Sequence, residues 1–174
     1  LFHQDAIVAK ASDRHIIDTS CVNVKYDIII DTGSVMHLVP AQQALRNTTP
    51  THQLIRGVSG AACATESGEL SLQLQHTWSD NSTSNVELKV AHCHRFLAQS
   101  GDPRGGLDVI LLSSSLLFYQ GWRQVVRRTN GRDYAPTGSN APPPIVYRHP
   151  ATHAFLAFHF HQALWKIRPR TSLP

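Results

Sequence analysis

The segment "YDIIIDTGSVMHLVP", residues 26–40, decides the fold that the sequence predicts. Three consecutive β-branched isoleucines are typical of a buried strand, and they run directly into Asp31-Thr32-Gly33. A carboxylate at the end of a buried strand is costly unless it is paired or used chemically. The segment therefore indicates a strand that delivers an acid to a functional loop.

The length and composition of the chain fit one domain with appendages. It has 174 residues, of which 41% are hydrophobic, and this suffices for one core. No run of about 18 apolar residues is present, so no membrane-spanning helix is predicted. Because the sequence begins with Leu1, we interpret it as a fragment or a piece of a longer polyprotein. The cysteines, Cys21, Cys63 and Cys93, are odd in number and not at metal-site spacings, which predicts reduced thiols and a cytoplasmic location.

Positive charge is concentrated in the last part of the chain. From residue 120 onward there are eight Lys or Arg and one acid, Asp133, which gives +7 and leaves −3 for the remainder. A basic tail favours nucleic acid or anionic surfaces, so nucleic acid is a candidate partner. Few aromatic residues are interleaved with the arginines, and a solvated basic segment is therefore the preferred interpretation.

Short apolar stretches separated by turns predict an all-β domain over residues 20–127. Residues 53–55 and 61–65 flank a glycine-containing tip, which predicts a projecting hairpin. The number and spacing of the strands favour a small β-barrel or sandwich. Further strands are expected where β-branched or alternating apolar residues occur, at 22–30, 35–39, 69–75, 86–90, 107–112 and 121–126.

The remaining segments are predicted to flank this domain. Residues 1–19 form an N-terminal extension without a clear period. Residues 128–151 contain Asn-Gly and a Pro-Pro-Pro run, which predicts a partly extended linker. Residues 152–174 form an apolar and basic C-terminal segment, in which 152–167 has a composition compatible with a short docking helix.

The Asp31-Thr32-Gly33 triplet fits acid–base chemistry by paired carboxylates. Two carboxylates a few ångströms apart cannot both ionise, so one remains protonated. The ionised group can activate a water while its protonated partner donates to a scissile carbonyl. Thr32 can brace the loop, and Gly33 allows a backbone N–H to approach the carboxylate. Because the chain has a single Asp-Thr-Gly, the second carboxylate would come from a second copy in a symmetric homodimer.

The order of these motifs resembles the retropepsin-like aspartic protease region of copia-type retrotransposon polyproteins. Residues 31–38, "DTGSVMHL", resemble the Asp-Ser-Gly-Ala-x-x-His-Met pattern of that region. Residues 110–121 resemble its Asn-Leu-Leu-Ser-x-x-x-Leu-x-x-x-Gly pattern, with Ile110 in place of the asparagine. The resemblance covers about residues 20–127.

The resemblance implies an aspartic endopeptidase that cleaves a polyprotein or peptide substrate and has a small acid-protease-like β-barrel fold. It implies a homodimer without cofactor, metal or membrane, located in the cytoplasm or within retroelement particles. It implies that Asp31, Thr32 and Gly33 form the catalytic loop. The chain carries an arginine in the flap where a small residue is usual. The implied substrate-binding flap consists of Arg56, Gly57, Val58, Ser59 and Gly60.

Two alternatives remain open from the sequence. A non-catalytic β-barrel, serving as an interaction module of a decayed polyprotein, would not require Asp31. The stretch "DTGSVMHLVP" also resembles the first lobe of a pepsin-like protease, although the tryptophan and the flap tyrosine of that pattern are absent.

Histidines near these motifs have structural interpretations. His37 follows the loop and is expected to pack or to form a hydrogen bond close to it. His92 and His94 lie at i and i+2 on one predicted strand face. Since no further ligand pair lies at a telling spacing, a surface pair is favoured over a zinc site.

Overall fold

The computed structural model describes residues 7–9, 14–57, 60–97, 106–127 and 142–170. Over these residues the chain is predominantly β, with twelve strands in one sheet and one short helix. No helix in these ranges has the length and hydropathy that a membrane crossing needs. Val58 and Ser59 of the predicted flap, and residues 128–141 of the predicted linker, lie outside the described residues.

The strands follow one another along the chain with a single helix between the eighth and the ninth. They are β1 (Ile7–Ala9), β2 (Ile16–Cys21), β3 (Ile28–Asp31), β4 (His37–Val39), β5 (Arg46–Gly57), β6 (Gly60–Trp78), β7 (Thr83–Leu97), β8 (Ile110–Ser113), β9 (Arg123–Arg127), β10 (Ile145–Arg148), β11 (Phe155–His161) and β12 (Leu164–Pro169), with α1 (Ser114–Tyr119) after β8.

The sheet order is β1-β9-β10-β11-β12-β2-β6-β7-β4-β8-β3, while β5 pairs with β6 and β12 also pairs with β3. The strand β3 is therefore flanked on both sides. It runs parallel to β8, with Asp31 opposite Ser113, and antiparallel to β12, with Ile29 opposite Lys166. Its side chains are covered on both faces as well, since Ile28 and Ile30 are buried in the core and Ile29 is partly buried, which explains the run of isoleucines.

The long strands β5, β6 and β7 form two successive hairpins. The alternation predicted for residues 69–75 is confirmed, since Leu70, Leu72 and Leu74 are buried in the core. The hairpin predicted over residues 53–65 is also found, with Gln53 opposite Ala64 in the β5–β6 register.

The helix predicted within residues 152–167 is wrong. These residues form the antiparallel hairpin of β11 and β12, which closes at Gln162 and Ala163 with φ angles of 50° and 65°. Leu156, Ala157 and Phe158 are all fully buried. Because both faces of β11 are covered there, its sequence lacks the strict alternation that distinguishes a half-exposed strand from a helix.

The boundaries of the predicted domain also change. The strand expected over residues 22–30 is shorter than predicted and is confined to β3. The side chain of Asn23 takes the place of backbone hydrogen bonds to β6, since it accepts from the Gln73 N–H at 2.9 Å and donates to the Ser71 carbonyl at 3.0 Å. The chain bends there and passes from pairing with β6 to pairing with β8. The strand β2 begins inside the predicted N-terminal extension, and β10 lies in the predicted linker but pairs with β9 and β11.

Candidate active-site loop

Asp31 is the last residue of β3, and the loop that follows it reaches the surface. Its side chain is half-buried, whereas Thr32 and Gly33 are exposed. The carboxylate is thus less buried than the preceding isoleucines suggested. It remains fixed at the end of a strand that is paired on both sides.

The close approach expected of the Gly33 N–H is present. This N–H donates to Asp31 Oδ1 at 2.8 Å, which fixes the orientation of the carboxylate within the turn. A Cβ added at Gly33 would lie 3.4 Å from the same oxygen, an ordinary contact. Packing within one chain therefore leaves room for a small side chain at this position.

The second half of the loop is closed by a serine and carries an exposed apolar side chain. Ser34 Oγ donates to the Met36 carbonyl at 2.7 Å and accepts from the Met36 N–H at 3.3 Å. Val35, between them, is 79% exposed. The loop thus carries an exposed valine as well as a carboxylate, and it provides both apolar and acidic groups for a partner or substrate.

A polar network centred on the buried residues His37 and Ser113 lies beneath the loop. Ser113 Oγ donates to the Ser34 carbonyl at 2.6 Å, and the Ser113 N–H donates to His37 Nδ1 at 2.9 Å. His37 Nε2 lies 2.9 Å from Gln120 Oε1, and Gln120 Nε2 donates to the Ala91 carbonyl at 2.7 Å. The network joins β4, β7, β8 and the C-terminal end of α1.

His37 fulfils the expectation that it packs near the loop and forms a hydrogen bond there. It is fully buried, and burial lowers its pKa from 6.5 to about 4, although the hydrogen bond to Gln120 acts in the opposite direction. The neighbouring His92 and His94 lower the pKa of His37 further. At neutral pH the imidazole is uncharged.

Sequence reasoning did not identify Ser113 and Gln120 as part of this site. A signal for Ser113 was present, since its side chain caps α1 by accepting from the Leu116 N–H at 3.1 Å, and serine is a preferred N-cap residue. Gln120 had no such signal, because it reaches His37 only through the packing of α1 against the sheet.

The predicted flap lies on the β5–β6 hairpin. Arg56 is exposed and stands opposite Ala61, and Gly57 stands opposite Gly60 at the end of the described register. Leu54 on the same hairpin is 53% exposed. Among the residues that the structure describes, no hydrogen bond or ion pair connects Arg56 with Asp31.

The cysteines and the histidine pair of β7 form no metal or catalytic cluster with Asp31 among the described residues, although Cys93 stands opposite His37 in the β4–β7 register. Cys21, Cys63 and Cys93 are free thiols, as predicted, and burial raises the pKa of Cys93 to about 12. His92 is exposed with a φ of 57°, and His94 is half-buried. Within the described ranges, no group of three or more His, Cys, Asp or Glu side chains is arranged to hold a metal ion.

A cavity of about 720 Å³ lies between β7, the end of α1 and the turn after β10. Trp122, His149 and Gln120 contribute to its lining. Gln120 therefore contacts both this cavity and the buried network beneath the loop.

No known protein family, curated protein or solved structure matches this chain.

Proposed function

We propose that this chain is a retropepsin-like aspartic endopeptidase whose active site forms when two copies each contribute Asp31. The observation that carries the proposal is the placement of Asp31-Thr32-Gly33 at the solvent-accessible end of β3, a strand that pairs with β8 as far as Asp31 and with β12 at Ile28 and Ile29. A half-exposed carboxylate on a rigid strand suits approach by a second one. One triplet per chain requires that second carboxylate to come from another copy.

The arrangement of strands around Asp31 supports the same proposal. The strand β8 runs parallel to β3 and antiparallel to β4, so the hydrophobic segment near the end of the resembling region packs directly beside the loop. The pairing of β12 with both β2 and β3 supports a small β-barrel. The β5–β6 hairpin carries Arg56 and Gly57 of the predicted flap close to its turn, a position that suits that role.

The proposed mechanism uses two Asp31 groups that share one proton. The ionised carboxylate takes a proton from a water, which attacks the carbonyl carbon of the scissile peptide bond, while the protonated carboxyl donates to the carbonyl oxygen. The tetrahedral intermediate then collapses as a proton passes to the leaving amine. The two carboxyls titrate as a pair, so cleavage is expected to peak on the acidic side of neutral, where the pair holds one proton.

The test uses the full chain, an unfolded polypeptide substrate and sedimentation, between about pH 4 and pH 7. The wild-type protein should dimerise and cleave, whereas Asp31→Asn should fold and dimerise but not cleave. The amide oxygen introduced by this substitution can still accept from the Gly33 N–H, so folding should be preserved. Glu87→Gln, the same chemical change at an exposed carboxylate of β7, is the matched control and should cleave normally.

Each contrary result has a defined meaning. Cleavage that survives Asp31→Asn would exclude this active site. A wild-type protein that dimerises and never cleaves would leave the non-catalytic module. A monomer that cleaves nothing would favour the first lobe of a pepsin-like protease.

A further inference from the structure

We infer that His37 is a positioning residue for the Asp31 loop and that it acts as the neutral tautomer with its proton on Nε2. The inference rests on the proposed function and assigns a role to a residue that touches neither substrate nor the reacting carboxylates.

The tautomer follows from the partners of His37. Gln120 Nε2 donates to the Ala91 carbonyl at 2.7 Å, which fixes the orientation of the amide and turns Oε1 towards His37. An amide oxygen only accepts, so His37 Nε2 must donate. On the other side of the ring, the Ser113 N–H only donates, at 2.9 Å, so Nδ1 must accept. Both contacts therefore require the same neutral form.

Ser113 transmits the position of His37 to the loop. Its backbone stands opposite Asp31 in the β3–β8 register, and its hydroxyl donates to the Ser34 carbonyl at 2.6 Å. Ser113 is fully buried, and its hydroxyl also caps α1 by accepting from the Leu116 N–H. One residue thus contacts both ends of the Asp31–Ser34 turn, and its own N–H is satisfied by His37.

Protonation of His37 would break this connection. A proton on Nδ1 would face the Ser113 N–H, so two donors would meet. The titratable groups facing His37 come from β7: His92 and His94, which disfavour its protonation, and Cys93, which stands opposite it in the register and is neutral. The contacts from β8 and α1 are the uncharged Ser113 and Gln120. The contact between His37 and Ser113 should therefore persist at neutral pH and fail as the pH falls through about 4, separately from titration of the carboxyl pair.

Three variants separate positioning from packing. In His37→Asn the amide oxygen can occupy the site of Nδ1 and keep the bond to Ser113. In His37→Gln the amide nitrogen can occupy the site of Nε2 and keep the bond to Gln120, while His37→Leu removes both bonds. We expect kcat to fall about 10- to 100-fold in His37→Gln and His37→Leu with KM little changed, and to fall much less in His37→Asn. In His37→Asn, the decrease of kcat on the acidic side of its pH profile should reflect titration of the carboxyl pair alone.

A readout independent of cleavage keeps the inference testable in an inactive protein. Nitrogen NMR of the imidazole in the wild type and in Asp31→Asn should show the proton on Nε2, and the Ser113 amide should exchange slowly. The Gly33 and Ser34 amide signals should shift in His37→Leu and remain close to wild type in His37→Asn. A proton on Nδ1, or equal loss of kcat in all three variants at equal stability, would overturn the inference. If the wild-type protein shows the predicted NMR signature and cleaves nothing, the positioning of the loop by His37 is supported and the proposed function is refuted.

Discussion

Gly68 illustrates how a single position can be closed to any side chain. It lies in β6 where the pairing with β7 shifts register. A Cβ there would meet the Arg46 carbonyl at 2.8 Å, Thr48 Cγ2 at 3.0 Å and Leu45 Cβ at 3.1 Å. Two of these atoms are backbone or adjoin it, so they cannot rotate away. The glycine allows β5 to lie close against β6.

We predict that Gly68→Ala lowers the free energy of unfolding by about 1 to 3 kcal/mol, the usual cost of overpacking. Gly106→Ala is the matched control, because a Cβ at Gly106 meets nothing within 4 Å. Denaturant unfolding of both variants measures the difference. Equal stability of the two would show that β5 moves away without cost.

Single residues also show how far the site could be predicted from sequence. Asp31 and His37 are close together along the chain, so their association with one loop followed from the local motif. The partner Gln120 is brought to His37 by α1, and a hydrogen bond between such distant residues leaves no periodic or local signal. The residues that hold the loop were therefore harder to predict than the loop itself.

At the level of elements, the β11–β12 hairpin is where sequence and structure differ most. Its alternating "FHFH" at residues 158–161 was a strand signal, but the alanines and leucines around it favour a helix by composition. The two-residue turn uses Gln162 and Ala163 at positive φ in place of the usual Asn-Gly. The pairing with β2 and β3, rather than local preference, determines this hairpin.

A partly buried ion pair joins this hairpin to the strand that bears Asp31. Lys166 of β12 is 6% exposed, and its Nζ lies 3.0 Å from Asp27 Oδ2, directly before β3. Gln162 Oε1, from the turn, lies 3.4 Å from the same ammonium. Removing one partner of a buried pair leaves the other charge uncompensated.

We predict that Asp27→Asn and Lys166→Met each destabilise the fold by about 2 to 3 kcal/mol, below the cost for a fully buried pair because Asp27 is partly exposed. The double variant should cost less than the sum of the two. Lys89→Met, which breaks the surface pair with Glu69 at 3.9 Å, should cost about 1 kcal/mol or less. Urea unfolding of the wild type, the two single variants and the double variant gives the coupling energy, and strict additivity would contradict the prediction.

For the whole molecule, buried histidines set the response to acid. His37 and His76 are both buried, and burial lowers the pKa of each from 6.5 to about 4. Burial also lowers the pKa of His94 and His159. Between about pH 6.5 and pH 4 the unfolded chain therefore binds more protons than the folded chain. The stabilisation is fully present above pH 6.5 and is lost as the pH falls towards 4.

We predict that each of His37 and His76 contributes a loss of about 2 kcal/mol in the free energy of unfolding between pH 7 and pH 5. His76→Asn should reduce the pH dependence of the free energy of unfolding by that amount, because it removes the titrating imidazole. The fold should be preserved, since the amide oxygen can still meet Thr19 Oγ1, which lies 3.0 Å from His76 Nδ1. Urea titrations at pH 7, 6 and 5 measure the effect. Greater stability at pH 5 than at pH 7 would contradict it. The proposed protease would then work in a narrow window, acidic enough for the carboxyl pair and mild enough for the fold.

The pairing of β12 with β3 has a consequence for the order of events during synthesis. Ile28 and Ile29 find their antiparallel partners, Ile167 and Lys166, near the end of the described chain. Contacts between such distant residues form late, because the intervening loop must be ordered first. The β5–β6 and β6–β7 hairpins are local and can form while the chain still emerges from the ribosome. The support on one side of the Asp31 strand therefore arrives only after β12 has been translated, and the cleavage proposed for this chain would begin only after that point.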